Sequence, residues 1–310
     1  MPSVHAVVVA YNRRELLRAA IQSLLAQSRP VDQIHVIDNA STDGTSTMVR
    51  DEFPDVQLHL LDENTGGAGG FAAGLAFATA AGADLVWLMD DDTVATDEAL
   101  QKLLDARDAS RAPLPVLLAS RVVWTDGRDH PMNTPRVRPG VSTGERQAAT
   151  EVGCLPIRSA SFVSVLVDVE AVRQVGLPKA DFFLWNDDFE FTSRLLRRNR
   201  GLYCPSSIVV HHTRTFGSVD ADPGERFYYE VRNKVWTFFR SDGLSPSEKV
   251  LYGGSTLRRW ARTFAASEHR GVLWSGLRRG LKEGVTRAPR PSSVVLSEAG
   301  VDVVDPSEAP

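Results

Sequence analysis

This 310-residue chain predicts an α/β fold, a mostly parallel sheet with helices on both faces. Three observations carry that expectation. Strand-like and helix-like segments alternate over the first hundred residues. The strands read as continuous apolar runs, the pattern of strands buried on both faces. Polar and acidic residues stand just after those runs, at the strand ends where open α/β sheets bind their ligands.

Val4 to Ala10 predicts the first strand. Asn12 with Glu15 three residues on has the form of a capping box. Leu16, Leu17, Ala20, Ile21, Leu24 and Leu25 then follow at helical spacing. Gln33 to Ile37 predicts a second strand, with a polar loop over 38–44 at its end. A short helix over Thr45 to Asp51 and a third strand over Val56 to Leu61 come next. Residues 64–70 (Asn-Thr-Gly-Gly-Ala-Gly-Gly) read as a glycine loop opening a helix over Phe71 to Ala81, which Gly82 stops. Leu85 to Met89 predicts the fourth strand. A helix from Asp97 to Ala109 puts Leu100, Leu103 and Leu104 on one face. Residues 125–150, rich in Pro, Gly, Arg and Thr, read as a long loop. Ser161 to Val167 returns to strand, and Val169 to Val175 is a short helix closed by Gly176 and Pro178. Another helix runs from Asp187 to Asn199, and Ile208 to Val210 is a strand ending in His211 and His212. The pattern is helical from Glu225 onward. The Pro/Ser-bearing stretch from Arg287, acidic at its end, predicts a disordered tail. The division expected is therefore 1–240 for the α/β domain, 241–286 for a basic helical region and 287–310 for the tail.

Composition narrows the function classes. Hydrophobic residues make up 43% and charged ones 24%, ordinary for a globular protein with a sizeable core. A net charge of −4 argues against nucleic-acid binding by overall electrostatics. Cys154 and Cys204 are too few for a disulfide framework and lack metal-ligand spacing, which predicts a reducing, cytoplasmic setting. No apolar run approaches the roughly 20 residues of a membrane span, and no basic segment precedes Val7 to Ala10 as a secretory signal requires.

The most informative segment is Trp87-Leu88-Met89-Asp90-Asp91-Asp92, an apolar run ending in three carboxylates. Alternate residues of an extended segment point the same way, so Asp90 and Asp92 are placed to share one hard divalent cation. Taken alone, such a triplet is also a solvated acidic turn. Asp38 and Asn39 at the end of the second strand suit a nucleobase or ribose, or equally an Asx turn. The glycine loop matches neither a dinucleotide fingerprint nor a Walker loop, and on its residues alone is a tight strand-to-helix turn. Residues 182–190 hold a second acidic cluster, Asp187, Asp188 and Glu190, behind the apolar Phe182, Phe183, Leu184 and Trp185. Partial burial there raises a carboxylate pKa toward the range of a general base, while Arg194 stands one turn from Glu190 as an ion-pair partner. His211 and His212 point to opposite faces of their strand, so one of them at most reaches a site.

In this order, Val7 to Asn12, Ile37 to Gly44, Asn64 to Phe71, Asp90 to Asp92, Asp187 to Glu190 with Arg194, and Val210-His211 resemble glycosyltransferase family 2. The resemblance spans residues 4 to about 240. Within the family it is strongest to actinobacterial galactofuranosyltransferases of cell-wall galactan synthesis, and rhamnosyltransferases share much of the pattern. It implies a GT-A nucleotide-sugar-binding fold and an inverting, metal-dependent glycosyl transfer from UDP-galactofuranose to a polyprenyl-diphosphate-linked saccharide. The alternatives are a rhamnosyltransferase using dTDP-rhamnose and a non-catalytic nucleotide-sugar-binding protein. The implied roles are Asp188 as base, with Asp90, Asp92 and His211 as ligands of Mn²⁺ or Mg²⁺. Tyr11, Asp38, Asn39, Asn64, Gly70, Phe71 and Asp91 would meet the donor. Trp185, Asp187 and Glu190 would meet the acceptor.

From Arg258 to Arg290 the chain has nine Arg or Lys against Glu268 and Glu283. Leu257, Trp260, Ala261 and Phe264 share one helical face, and Leu273, Trp274, Leu277 and Leu281 another. Basic amphipathic helices with Trp suit the inner membrane surface. Helices packed on the catalytic domain with a solvated Arg face read equally well.

Overall fold

Every residue of the first strand, β1 (Val4–Ala10), is buried, and β1 lies near the middle of the parallel half of the sheet. The computed structural model describes residues 1–213, 216 and 222–308. The remaining strands are β2 (Gln33–Asp38), β3 (Gln57–Leu60), β4 (Leu85–Asp90), β5 (Thr93–Ala95), β6 (Leu117–Trp124), β7 (Arg136–Val137), β8 (Leu155–Ser159), β9 (Ser164–Asp168) and β10 (Gly201–His211). The helices are α1 (Arg14–Leu25), α2 (Thr45–Glu52), α3 (Gly66–Ala80), α4 (Ala99–Asp108), α5 (Thr143–Glu151), α6 (Val169–Val175), α7 (Asp187–Leu195), α8 (Phe227–Arg240), α9 (Pro246–Ala266), α10 (Arg270–Thr286) and α11 (Ser292–Glu298).

The sheet runs β3-β2-β1-β4-β9-β6-β10-β8-β7, with β5 on β10. β3, β2, β1 and β4 are parallel, as are β6 and β10, and β9 enters antiparallel between β4 and β6. The alternation of β1 splits the core in two. Val7 and Val9 face α3 and its neighbours, whereas Val4, Ala6, Val8 and Ala10 face α1 and α4. The chain leaves β1 for β2 on one side and returns to β4 on the other. A crevice therefore opens at the C-terminal ends of β1 and β4, where strand order reverses.

Three expectations are corrected. Helix α3 begins at Gly66, so the glycine run is helical. A Cβ at Gly70 would stand 2.4 Å from Val9 Cγ1, and one at Gly74 2.3 Å from Val7 Cγ1. The glycines let α3 lie against β1, a packing demand that outweighs their low helix propensity. The stretch 125–150 contains β7 and α5, the latter capped by Ser142, whose side chain accepts from Glu145 N. The 287–310 segment is not a disordered tail over its described residues. Leu296 is fully buried and Val295 and Val301 pack into the same core as α3, because short apolar residues there meet a surface that only the folded domain supplies.

The last three long helices pack onto the α/β body rather than standing apart. Gly276, Gly280 and Gly284 bring α10 against α8, where a Cβ at Gly280 would meet Tyr228 O and Val231 Cβ, each at 2.8 Å. Arg158 of β8, buried, donates to Glu248 (2.6 Å) at the start of α9 and to the Ser193 carbonyl (2.6 Å). Arg287 and Arg290, two of the nine C-terminal cations, are held internally by Asp181. Among the described residues no helix is long and apolar enough to cross a membrane.

Candidate active site

The acidic triplet closes β4 at the crevice. Asp91 and Asp92 are buried and share a cation from the facing strand end: Arg13 Nη1 lies 3.1 Å from Asp91 Oδ1 and 2.5 Å from Asp92 Oδ2. The Tyr11 N–H also donates to Asp91, at 3.1 Å. Burial, with Asp92 beside it, pushes the Asp90 carboxyl up to about 6.

Asp90, Asp92 and His211 each offer a ligand atom, all within 4.8 Å of one another. His211 is the histidine that turns inward, while the His212 backbone N–H binds the Asp92 carbonyl at 2.8 Å. The His211 ring is oriented from behind, its Nδ1 lying 3.0 Å from Asn133 Oδ1. That bond commits the Nδ1 proton and turns Nε2 toward Asp92 Oδ1, 3.0 Å away. Asp92 Oδ1 makes no hydrogen bond of acceptable geometry. A nitrogen lone pair and a carboxylate oxygen at this separation need a proton or a cation between them. Two ligand atoms about 2.1 Å from an octahedral ion, on adjacent vertices, are about 3.0 Å apart. The donor set, two carboxylates and an imidazole, suits Mn²⁺ or Mg²⁺ and fits the site.

The second acidic cluster is presented by unusual backbone. Phe183, Trp185 and Asn186 all have positive φ, at 65°, 66° and 67°. Leu184 N–H closes back on the Phe182 carbonyl at 2.7 Å, a γ-turn of the rare positive-φ kind. Such strain persists only where neighbours enforce it. Here Asn233 of α8 donates to the carbonyls of Phe182, Leu184 and Trp185, and Arg232 to those of Asp181 and Phe182. α7 then starts at Asp187 with Asp188 half-buried on the wall of a cavity of about 790 Å³. Burial raises the Asp188 carboxyl, opposed by the Phe189 N–H and by Lys234 and Arg136. Asp187 is pushed well up by burial and by Asp188, and also feels Asp90, so the two acidic clusters are neighbours.

Not every expected residue reaches the site. Glu190 is fully buried and bound by Arg194 (3.0 and 3.2 Å) and Ser241 (2.8 Å). It sits two positions past Asp188, about 200° around the helix, and so faces away from the cavity. Asp187 does not line the cavity either; Trp185 does, and is partly exposed. Phe71 lies in the core with its ring against Phe162, and Gly70 packs on β1, so neither offers a donor contact. Asn39 is spent on structure: its Oδ1 accepts from Thr65 N and Oγ1, and its Nδ2 donates to the Gly66 carbonyl. Asn64 closes its own turn through Gly66 N, at 2.8 Å. Asp38 accepts from Ser41 N, and Tyr11 stays 45% exposed at the crevice mouth.

Arg13, Asn133, Arg136, Glu230 and Lys234 lie at the candidate site and were not singled out by sequence, and Arg259, one of the nine C-terminal cations, also lines the cavity. Lys234 is 4% exposed, and burial lowers its ammonium to about 8. Arg13 alone carried a local signal, as a cation directly behind the first strand's end.

The comparisons accord with this geometry. The family described as "Glycosyl transferase family 2" matches residues 5–167. The chain is 30% identical over 255 residues to "Galactofuranosyltransferase GlfT1" of Mycobacterium tuberculosis, covering 75% of this chain and 82% of that protein. It is 29% identical over 285 residues to the "N-acetylglucosaminyl-diphospho-decaprenol L-rhamnosyltransferase" of the same species, covering 81% and 90%. The crystal structure of GalNAc-T7 with UDP, GalNAc and Mn²⁺ superposes with a TM-score of 0.60 at 15% identity, over 91% of this chain and 56% of that one. The chain belongs to glycosyltransferase family 2 and has the GT-A fold. It is a glycosyltransferase of the inverting type.

Proposed function

We propose that the chain moves galactofuranose from UDP-galactofuranose onto a saccharide carried by a polyprenyl diphosphate, as a step in cell-wall galactan synthesis. The observation that carries this reading is the juxtaposition of Asp188, on the wall of the 790 Å³ cavity, with the Asp90, Asp92 and His211 cluster. Asp188 takes the proton of the acceptor hydroxyl as that oxygen attacks the anomeric carbon. The bond to the nucleotide diphosphate breaks through an oxocarbenium-like transition state, and single displacement inverts the centre. A divalent cation on Asp90, Asp92 and His211 would stabilise the charge growing on the leaving diphosphate. Arg13, on the same strand ends, offers a guanidinium to the same oxygens. Tyr11 and Asp38 stand beside the base and ribose, and Trp185 gives the acceptor sugar an aromatic face.

The galactofuranose assignment is supported by the GlfT1 relative. Transfer from dTDP-rhamnose is the second reading, supported by the rhamnosyltransferase relative of similar identity. That relative's name also supports a diphosphate-linked acceptor. Exposed Leu257, Trp274 and Leu281 beside the arginines of α9 and α10 support peripheral contact with the membrane that carries such a lipid. The test is nucleotide release with each donor, Mn²⁺ and a short polyprenyl-diphosphate disaccharide. UDP release from UDP-galactofuranose should dominate and vanish with chelator. Preference for dTDP-rhamnose overturns the donor, and chelator-insensitive turnover overturns the metal.

A further inference from the structure

A second cavity, of about 440 Å³, lies against the Asp188 cleft and shares Arg136, Phe189, Lys234 and Arg259 with it. Its charged lining is entirely cationic: Arg136, Lys234, Arg258, Arg259 and Arg262, with no carboxylate. Arg258, Arg259 and Arg262 come from two adjacent turns of α9, set there by i, i+3 and i+4 spacing. Among the described residues Arg259 alone is ion-paired, to Glu230. The Arg136 guanidinium lies over the rings of Phe189 and Tyr252, near enough to Asp188 to be felt there, and makes no ion pair among the described residues. Lys234, nearly fully buried, has its Nζ 4.1 Å from the Phe189 ring centroid, and among the described residues it makes no ion pair or hydrogen bond. Lys234 is buried, while Arg136, Arg258 and Arg262 are exposed, so the cavity presents a cluster of cations, none of them ion-paired among the described residues, to any anion that enters it. A compact polyanion suits that cluster, and guanidinium forks match phosphate oxygens two at a time.

We propose that this cavity seats the diphosphate of the lipid-linked acceptor, gripped by Arg136, Lys234, Arg258 and Arg262; the assignment of the anion to the acceptor rests on the transfer reading above. The donor's diphosphate belongs at the crevice with Arg13 and Asp92, which line neither cavity. The acceptor's hydroxyl must reach Asp188, and the cationic space opens directly beside that residue's cleft. Along the same helix Val250, Leu251 and Leu257 are 78%, 56% and 64% exposed, an apolar path for the prenyl chain leaving the diphosphate. Transfer is then gauged by the saccharide between two fixed points, the diphosphate in its cationic seat and the hydroxyl at Asp188.

The experiment is calorimetric titration of the full chain with inorganic pyrophosphate in EDTA, which removes the cation-dependent donor site. Wild type should bind. Arg258→Gln/Arg262→Gln, altering two exposed side chains, should bind about a hundredfold more weakly, about tenfold per lost charge-assisted bond. UDP affinity in Mn²⁺ should stay within about twofold, and Lys234→Met should repeat the pyrophosphate loss. Farnesyl diphosphate should displace pyrophosphate, and failure to do so rules out a lipid source. In kinetics, the double variant should raise KM about tenfold more for a prenyl-diphosphate saccharide than for the same saccharide on a neutral alkyl chain. Equal KM changes, pyrophosphate binding indifferent to the arginines, or arginines needed only for anionic vesicles would each overturn the proposal. A wrong donor sugar would leave the pyrophosphate result standing, so the two failures are distinct.

Discussion

Asn133 touches no proposed substrate, yet its loss should weaken the proposed metal site. Its Oδ1 holds His211 Nδ1 at 3.0 Å, and that bond aims Nε2 at the space shared with Asp92 and Asp90. Asn133→Leu keeps the branching at Cγ and removes the acceptor, along with the Nδ2 donor to Ser161 Oγ. The imidazole is then free to rotate or to carry its proton on Nε2, where it blocks coordination. Loss of such a supporting bond typically costs 10- to 100-fold in metal affinity, about 1.4 to 2.7 kcal/mol. His211→Ala removes the ligand and should cost more; His212→Ala, on the opposite face of the strand, should cost little. The assay is Mn²⁺ titration with UDP present, read by electron paramagnetic resonance of free Mn²⁺, with circular dichroism checking the fold. Unchanged Mn²⁺ affinity in Asn133→Leu, or a larger loss in His212→Ala than in His211→Ala, would refute the arrangement.

Asp188→Asn should lower turnover by about 10²-fold or more while UDP affinity holds, because a neutral amide cannot take the hydroxyl proton; wild-type-like turnover would eliminate Asp188 as base. The pH profile of acceptor kcat/KM should be bell-shaped: activity rises as Asp188 loses its proton, above the ordinary carboxylate range because burial raises it, and falls above about pH 8 as Lys234 loses its charge. Lys234→Arg should remove the falling limb. Glu190→Ala should cost about 3–5 kcal/mol in urea denaturation, since it leaves Arg194 buried and unpaired; a raised acceptor KM with unchanged stability would return Glu190 to the acceptor. Leu296→Ala should cost about 2–5 kcal/mol, and an unchanged urea midpoint would show that α11 is not part of the core.

Legibility in the sequence followed how local each signal was. The cluster of Asp90, Asp92 and His211 was readable because the two carboxylates adjoin the apolar run that buries them, and strand alternation limits His211 and His212 to one inward ring. Asp188 was readable as a carboxylate behind an apolar segment. The same motif could not tell Asp188 from Glu190, since that depends on which face of α7 meets the body. The glycines of α3 read as a loop because propensity opposes helix there, and only contact with β1 explains them. Lys234 and Arg136 lie about a hundred positions apart in the chain, and nothing short of the fold puts them in one cavity. The helix at 292–298 was hidden for a similar reason, its apolar residues being too few to announce a core without the surface they cover.

That helix also sets an order of assembly. Val295, Leu296 and Val301 complete a core whose walls include α3 and β1, and Asp62 N–H of the N-terminal half binds the Ala299 carbonyl at 2.9 Å. A ribosome makes those walls first, at about 5–20 residues per second. The nucleotide half must therefore wait, one apolar face uncovered, until nearly 240 further residues have followed Asp62 out of the exit tunnel. During that interval the nascent chain offers chaperones a binding surface that the finished protein does not have, and a truncation before Pro291 would keep it exposed for good.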